Sequence, residues 1–301
     1  MNYENSLITK IAWYYYIENM TQQKISDELG ISRMKVIKLL EKARQNGVIQ
    51  FQISRERGSH LKVEQELIRR WDLKDAFVVP SVPGTSSLND TIAKAAAMYI
   101  NDRITENTYI NIGYGDTLCR VINHLATMTE APLSAVSLTG GVSYYLPNTF
   151  SSKFNAKLFL HPAPLLVSTK ELCQALQNEP SLQEVWRMVK LAAMTVIGIG
   201  GLNEDATVIK NGIFSQSDFL YLAMQGAVGD ILSHFIDHDG NPFQTDIDDR
   251  LLSTSLATLR TLPNVIGVAA GRNKVKAIHA ALKGGYLNVL ITDEQTALSC
   301  V

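Results

Sequence analysis

The sequence predicts an α/β protein in two parts, a small all-α domain at the N-terminus followed by a large α/β domain. Two observations carry this. Up to residue 56 apolar residues recur at helical spacing and basic residues outnumber acidic ones, whereas beyond it short apolar runs alternate with helical segments. The expected division is therefore 1–56 and 57–301. With 301 residues, 46% of them hydrophobic and 19% charged, the chain can bury one small and one large core.

The net charge of -1 excludes a uniformly basic nucleic-acid binder, but the charge is unevenly spread. Residues 1–58 hold nine Lys or Arg against six Asp or Glu; the remainder holds 19 against 23. Between residues 31 and 46, Arg33, Lys35, Lys38, Lys42 and Arg44 meet only Glu41, so one predicted helix is strongly basic.

In chain order, Ile8, Ile11, Ala12, Tyr15 and Tyr16 mark a first helix with one apolar face. Thr21 is placed to cap a second, which turns Ile25 and Leu29 inward and ends at Gly30, a residue suited to a tight turn. Ser32 is placed to cap a third, with Val36, Leu39, Leu40 and Ala43 inside and Gly47 at its C-terminal stop. Residues 48–54 alternate as a short strand or wing, and 55–60, RERGSH, read as a polar linker before a helix over 61–71.

Two helices joined through Gly30 match a helix-turn-helix, whose second helix enters the major groove of double-stranded DNA. Ser32, Arg33, Met34 and Lys35 then occupy the first turn, where base edges are read, and Lys38 projects one turn later. Lys42 lies further back toward phosphates; Thr21 and Gln22 open the preceding helix. The competing reading is a solvated basic face on an ordinary helical bundle.

In the large part, apolar runs at 76–79, 109–112, 135–138, 157–160, 194–197, 265–269 and 289–291 alternate with helices, which argues for βα units and a mainly parallel sheet. Glycine-rich turns, GYGD, TGG and GIGG, follow three of these strands, and open α/β sheets bind ligands at that carboxyl edge.

Other chemistries find little support. The cysteines Cys119, Cys173 and Cys300 are widely spaced, which suggests neither a disulfide framework nor a zinc site. GIGGLN lacks the last glycine of a dinucleotide fingerprint, and no P-loop, GxSxG or HExxH occurs, so no cofactor and no catalytic set is expected. His234, Asp237, His238 and Asp239 are metal-type residues, but alternation along a strand is expected to keep them apart, so no metal is expected. With no apolar run of membrane-spanning length and no leader, a cytoplasmic protein without membrane contact is expected.

The chain resembles the SorC family of bacterial transcriptional regulators through IAWYYYIENMTQQKISDELGIS, VSLTGGV, HPAPL, QGAVGDILSHFIDHDG and NKVKAIHAALKGGYLNVLITDEQTA, in family order. The resemblance implies a sugar-phosphate-isomerase-like, Rossmann-like effector domain, a homodimer or homotetramer, and a small phosphorylated sugar-type effector. Within the family the likeness is greatest to the branch that responds to phosphorylated autoinducer-2 and is relieved of repression by it. Leu166 stands where that branch has Arg, and GYGDT replaces its Gly-Phe-Gly-Glu-Ala turn. Ile37-Lys38 replaces the Ser-Arg of many members, a point charge for a fork.

Gly113, Tyr114, Gly115, Asp116 and Thr117 lead into a helix start whose amides suit a phosphate or sugar hydroxyl, although the Asp116 carboxylate favours hydroxyls over an anion. Thr139, Gly140 and Gly141 are expected to offer a hydroxyl and exposed amides. Asp230 and Lys274 match family positions that line the effector site. The leading expectation is a non-enzymatic, ligand-responsive DNA-binding regulator. The alternatives are a sugar-phosphate isomerase or deaminase using the same pocket, or an architectural DNA-binding protein.

Overall fold

The computed structural model describes residues 3–45, 48, 55–105, 108–129, 133–141, 145, 156–203, 206–210 and 212–301. The chain divides into two compact units, Met1–Gly58 and Ser59–Val301.

In the first unit, α1 (Tyr3–Tyr16), α2 (Gln22–Leu29) and α3 (Arg33–Gln45) close around Ile8, Ile11, Ile25, Val36, Leu39 and Leu40. The turn between α2 and α3 forms as the residues require. Thr21 Oγ1 accepts the Lys24 amide at 3.3 Å, Gly30 ends α2 in the left-handed region at φ 61°, and Ser32 Oγ accepts the Lys35 amide at 3.3 Å. The stop expected at Gly47 and the wing expected at 48–54, apart from Val48, lie outside the described residues.

The linker expected at 55–60 is corrected. Those residues are the opening of α4 (Arg55–Trp71), because Arg and Glu are good helix formers and polarity alone does not make a loop. Its later turns bury Val63 and Leu67, and Trp71 Nε1 donates to the Cys300 carbonyl at 2.9 Å.

The second unit then runs β1 (Asp75–Val79), α5 (Thr85–Asn101), β2 (Tyr109–Ile112), α6 (Asp116–Met128), β3 (Leu133–Ser137), β4 (Ala156–Phe159), α7 (Lys170–Gln177), α8 (Pro180–Leu191) and β5 (Met194–Gly198). It continues with β6 (Gly200–Gly201), α9 (Thr207–Lys210), α10 (Gln216–Met224), β7 (Ala227–Ile231), β8 (His234–Asp237) and α11 (Leu256–Leu259). The last elements are β9 (Val265–Val268), α12 (Val275–Lys283), β10 (Val289–Asp293) and α13 (Glu294–Leu298).

Seven strands form one parallel sheet in the order β1-β10-β9-β5-β2-β3-β4. Both faces are covered, as a parallel sheet demands. Ile110, Ile112, Val196 and Ile266 face α5 and α6, while Ile197, Val265 and Leu290 pack toward α4, α8 and α12. The chain leaves β2 toward β3 and β4 but leaves β5 toward β9 and β10. Since β2 and β5 are neighbours, their carboxyl ends form the topological switch point, where open α/β sheets place a ligand crevice.

Beside the main sheet, β6, β7 and β8 form a small antiparallel sheet that was not foreseen as a sheet. Phe235 of β8 holds it in place, with ring centroids 5.5 Å from Phe214 and 5.7 Å from Phe219.

Candidate functional site

The turns after β2, β5 and β9 converge on the crevice. Gly113 to Gly115 lead from β2 into α6, whose first-turn amides have no intrahelical acceptor and no side-chain cap, since Gly115 holds the N-cap position. Asp116 begins the helix but is engaged: Asn89 Nδ2 donates to it at 3.0 Å and Arg120 Nε at 3.1 Å. Burial pushes its carboxyl up, yet these hydrogen bonds outweigh burial and hold it below the ordinary value. Neither Asn89 nor Arg120 was foreseen; the i, i+4 spacing of Asp116 and Arg120 was the available signal.

Asp230 lies on β7 opposite Gly200 of β6, buried at 8% exposure. Its Oδ2 accepts the Ser233 amide at 3.1 Å. Burial pushes its pKa up, opposed by that amide and by the positive charge of Lys274. Lys274 ends a short 3-10 turn, Arg272–Lys274, that follows β9. Burial lowers its pKa against the attraction of Asp230 and Asp116. Lys274 thus feels the charge of both carboxylates without a direct ion pair to either, and Asp230 is the buried one of the two.

GIGG explains how these groups meet. A methyl group on Gly200 would overlap the Asp230 carboxylate, and one on Gly201 would come within 2.7 Å of the Asn273 carbonyl. The two glycines thus admit the Asp230 strand on one side and the Lys274 turn on the other. The sequence places GIGG at the ligand-binding edge of the sheet but does not show that its glycines seat Asp230 and the Lys274 turn.

The expectation for Thr139, Gly140 and Gly141 is corrected. Their amides donate to Tyr145 Oη, the Leu252 carbonyl and the Ala163 carbonyl at 3.2, 2.8 and 2.7 Å, and Thr139 Oγ1 lies 2.7 Å from Tyr145 Oη. The turn ties chain segments together, because close passage of Pro164 leaves no space for a side chain at Gly140. Thr117 is buried at the start of α6.

The expected separation of the metal-type residues also fails in part. The chain turns after β8, so Asp237, His238 and Asp239 bring their ligand-type atoms within 4.8 Å of one another. Their bonding is that of a turn: Asp237 Oδ1 accepts the Asp239 and Asn241 amides at 2.9 Å each, and Asp239 pairs with Lys283. His234 instead meets Asp248 at 2.8 Å.

On the first unit, Arg33, Met34, Lys35 and Lys38 are exposed together along the start of α3, with Gln22 half-buried and Thr21 exposed at the start of α2. Lys42 is exposed on a later turn of α3. Its ammonium is paired with Glu4 at 2.6 Å, a partner on α1 that the charge count of α3 alone did not reveal.

The folded units define a class: a helix-turn-helix joined to a ligand-binding α/β domain of the sugar-binding type. Residues 56–301 match the family described as "Putative sugar-binding domain". The transcriptional regulator LsrR of Klebsiella pneumoniae is 36% identical over 298 residues, covering 98% of this chain and 92% of that protein. Its counterpart in Escherichia coli K12 is 34% identical over 298 residues, covering 98% and 94%. The full-length sorbitol operon regulator SorC from Klebsiella pneumoniae superposes with a TM-score of 0.72 at 25% identity, with 100% of both chains covered. The chain belongs to this family, the SorC-type transcriptional regulators that carry a C-terminal sugar-binding domain.

Proposed function

We propose that the crevice between β2 and β5 binds a small phosphorylated sugar-type effector, and that binding lowers operator affinity of the helix-turn-helix. The observation that carries this reading is the buried Asp230 carboxylate, which Gly200 and Gly201 bring close to the turn that carries Lys274 at the topological switch point. Asp230 and Asp116 suit sugar hydroxyls, while Lys274 and the first-turn amides of α6 suit an anion or a carbonyl oxygen. Phosphorylated autoinducer-2 heads the effectors to test, given the LsrR relatives.

In this reading residues 1–56 read double-stranded DNA through Arg33, Met34, Lys35 and Lys38, and residues 57–301 bind effector and assemble a homodimer or homotetramer. Two recognition helices must sit about 34 Å apart to meet successive major grooves, so a small rearrangement of an oligomer spoils binding. The protein acts without catalysis and in the cytoplasm. No described helix is long and apolar enough to cross a membrane.

The test is a thermal-shift screen with phosphorylated and unphosphorylated sugars, since saturating ligand stabilises in proportion to the logarithm of concentration over affinity. Stabilisation by a phosphorylated member supports the reading. Steady turnover of such a compound, abolished in Asp230→Ala, would replace it with an enzyme.

A further inference from the structure

We propose that Ser233 is a positioning residue of the effector site: its hydroxyl, bonded to Tyr114, holds the hairpin that carries Asp230 in register with the first turn of α6. The inference rests on the effector reading above and adds a residue to it.

Ser233 is the second residue of the two-residue turn between β7 and β8, with Leu232 at φ 54° and Ser233 at φ 67°. A turn left-handed at both positions suits Gly, Asn or Asp, and serine adopts it at a cost that glycine avoids. The side chain that occupies this costly position is 1% exposed, and its Oγ lies 2.5 Å from Tyr114 Oη. The same residue's amide donates to Asp230 Oδ2 at 3.1 Å. Beside it, Leu232 Cδ2 would lie 3.0 Å from a methyl group on Gly113, so the hairpin tip seats on the turn after β2 by one polar and one apolar contact.

These contacts join two separate parts of the fold. Asp230 belongs to the small antiparallel sheet, whereas α6 springs from the large parallel one. A ligand that touches both needs their spacing fixed before it arrives, and the Tyr114–Ser233 hydrogen bond supplies that constraint. Tyr114 and Ser233 thus act through Asp230 and α6 rather than through their own ligand contacts.

The full chain is titrated calorimetrically with phosphorylated autoinducer-2, D-ribose 5-phosphate and D-fructose 6-phosphate, as wild type, Ser233→Gly, Tyr114→Phe and the double variant. Glycine relieves the backbone cost, so Ser233→Gly folds, and its melting temperature without probe is no lower than that of wild type. Each single variant is expected to weaken a wild-type-binding probe about tenfold, and the double variant no further, because both remove one interaction. Wild-type affinity in Ser233→Gly overturns the proposal, as do losses that add in the double variant. Weakened binding accompanied by a lower melting temperature without probe overturns it too, in favour of a role in stability alone. A wild type that binds none of the probes overturns the effector reading first and this inference with it.

Discussion

Gly200 and Asp230 face each other across the β6–β7 ladder so closely that any side chain on residue 200 would occupy the place of the Asp230 carboxylate. The site is therefore tuned by a residue that carries no functional group. In Gly200→Ala the carboxylate must rotate away or the strands must part. Overpacking of this kind costs about 1 to 3 kcal/mol, and sugar-phosphate affinity is expected to fall with it. Chemical denaturation and calorimetric titration measure the two effects; unchanged affinity would show that Asp230 is not held by this contact.

Lys274→Ala removes an ammonium whose charge acts on both Asp230 and Asp116 and should abolish stabilisation by sugar phosphates in a thermal-shift assay. A full shift in the variant would take Lys274 out of the site.

Arg33→Ala should narrow the ratio of specific to nonspecific DNA affinity, because a guanidinium fork on guanine discriminates by about 1 to 3 kcal/mol. Lys42→Ala should change both affinities little, since its ammonium is engaged with Glu4. Competition binding over a range of salt separates them. An unaltered ratio in Arg33→Ala would mean that α3 is placed differently on DNA.

His161 sets an acid limit on stability. The residue is 1% exposed, its ring centroid lies 3.9 Å from that of Trp186 at a tilt of 48°, and burial pushes its pKa down to about 4 from the ordinary 6.5. The folded state thus keeps it neutral while the unfolded chain takes a proton. Stability from this group is complete above pH 6.5 and declines as pH falls toward about 4, by about 3 kcal/mol over the window. Denaturation as a function of pH should show this slope in the wild type and lose it in His161→Asn.

Much of the architecture was readable in advance. All seven strands of the parallel sheet were expected within one or two residues, because strands buried on both faces appear as short, mainly apolar runs such as VIGV and YINI. The small sheet was not, since AVGDI carries two residue types that disfavour strands. It becomes one through tertiary packing: a methyl group on Gly229 would lie 2.6 Å from the Gly200 carbonyl and 3.2 Å from Ala277 Cα, so glycine is needed for the close approach of α12.

For the site, Asp116, Asp230 and Lys274 were named from sequence, whereas the exposed amides expected at Thr139, Gly140 and Gly141 are engaged in internal hydrogen bonds. A glycine pair after a strand marks close approach of something, and sequence does not say whether ligand or protein; here it is Pro164 and Ala163. The Lys42–Glu4 pair and the helix over 55–60 escaped the sequence for a related reason. An exposed charge says nothing of a partner 38 positions away, nor whether a polar stretch is helix or loop.

The central claim is that ligand in the crevice between β2 and β5 governs DNA binding. Fluorescence anisotropy of operator-bound protein, titrated with phosphorylated autoinducer-2 and the sugar phosphates, tests it most directly. A saturable fall in operator affinity in the wild type, absent in Lys274→Ala, is the predicted result. A compound that binds the wild type and leaves operator affinity unchanged, or that acts equally on Lys274→Ala, would contradict it.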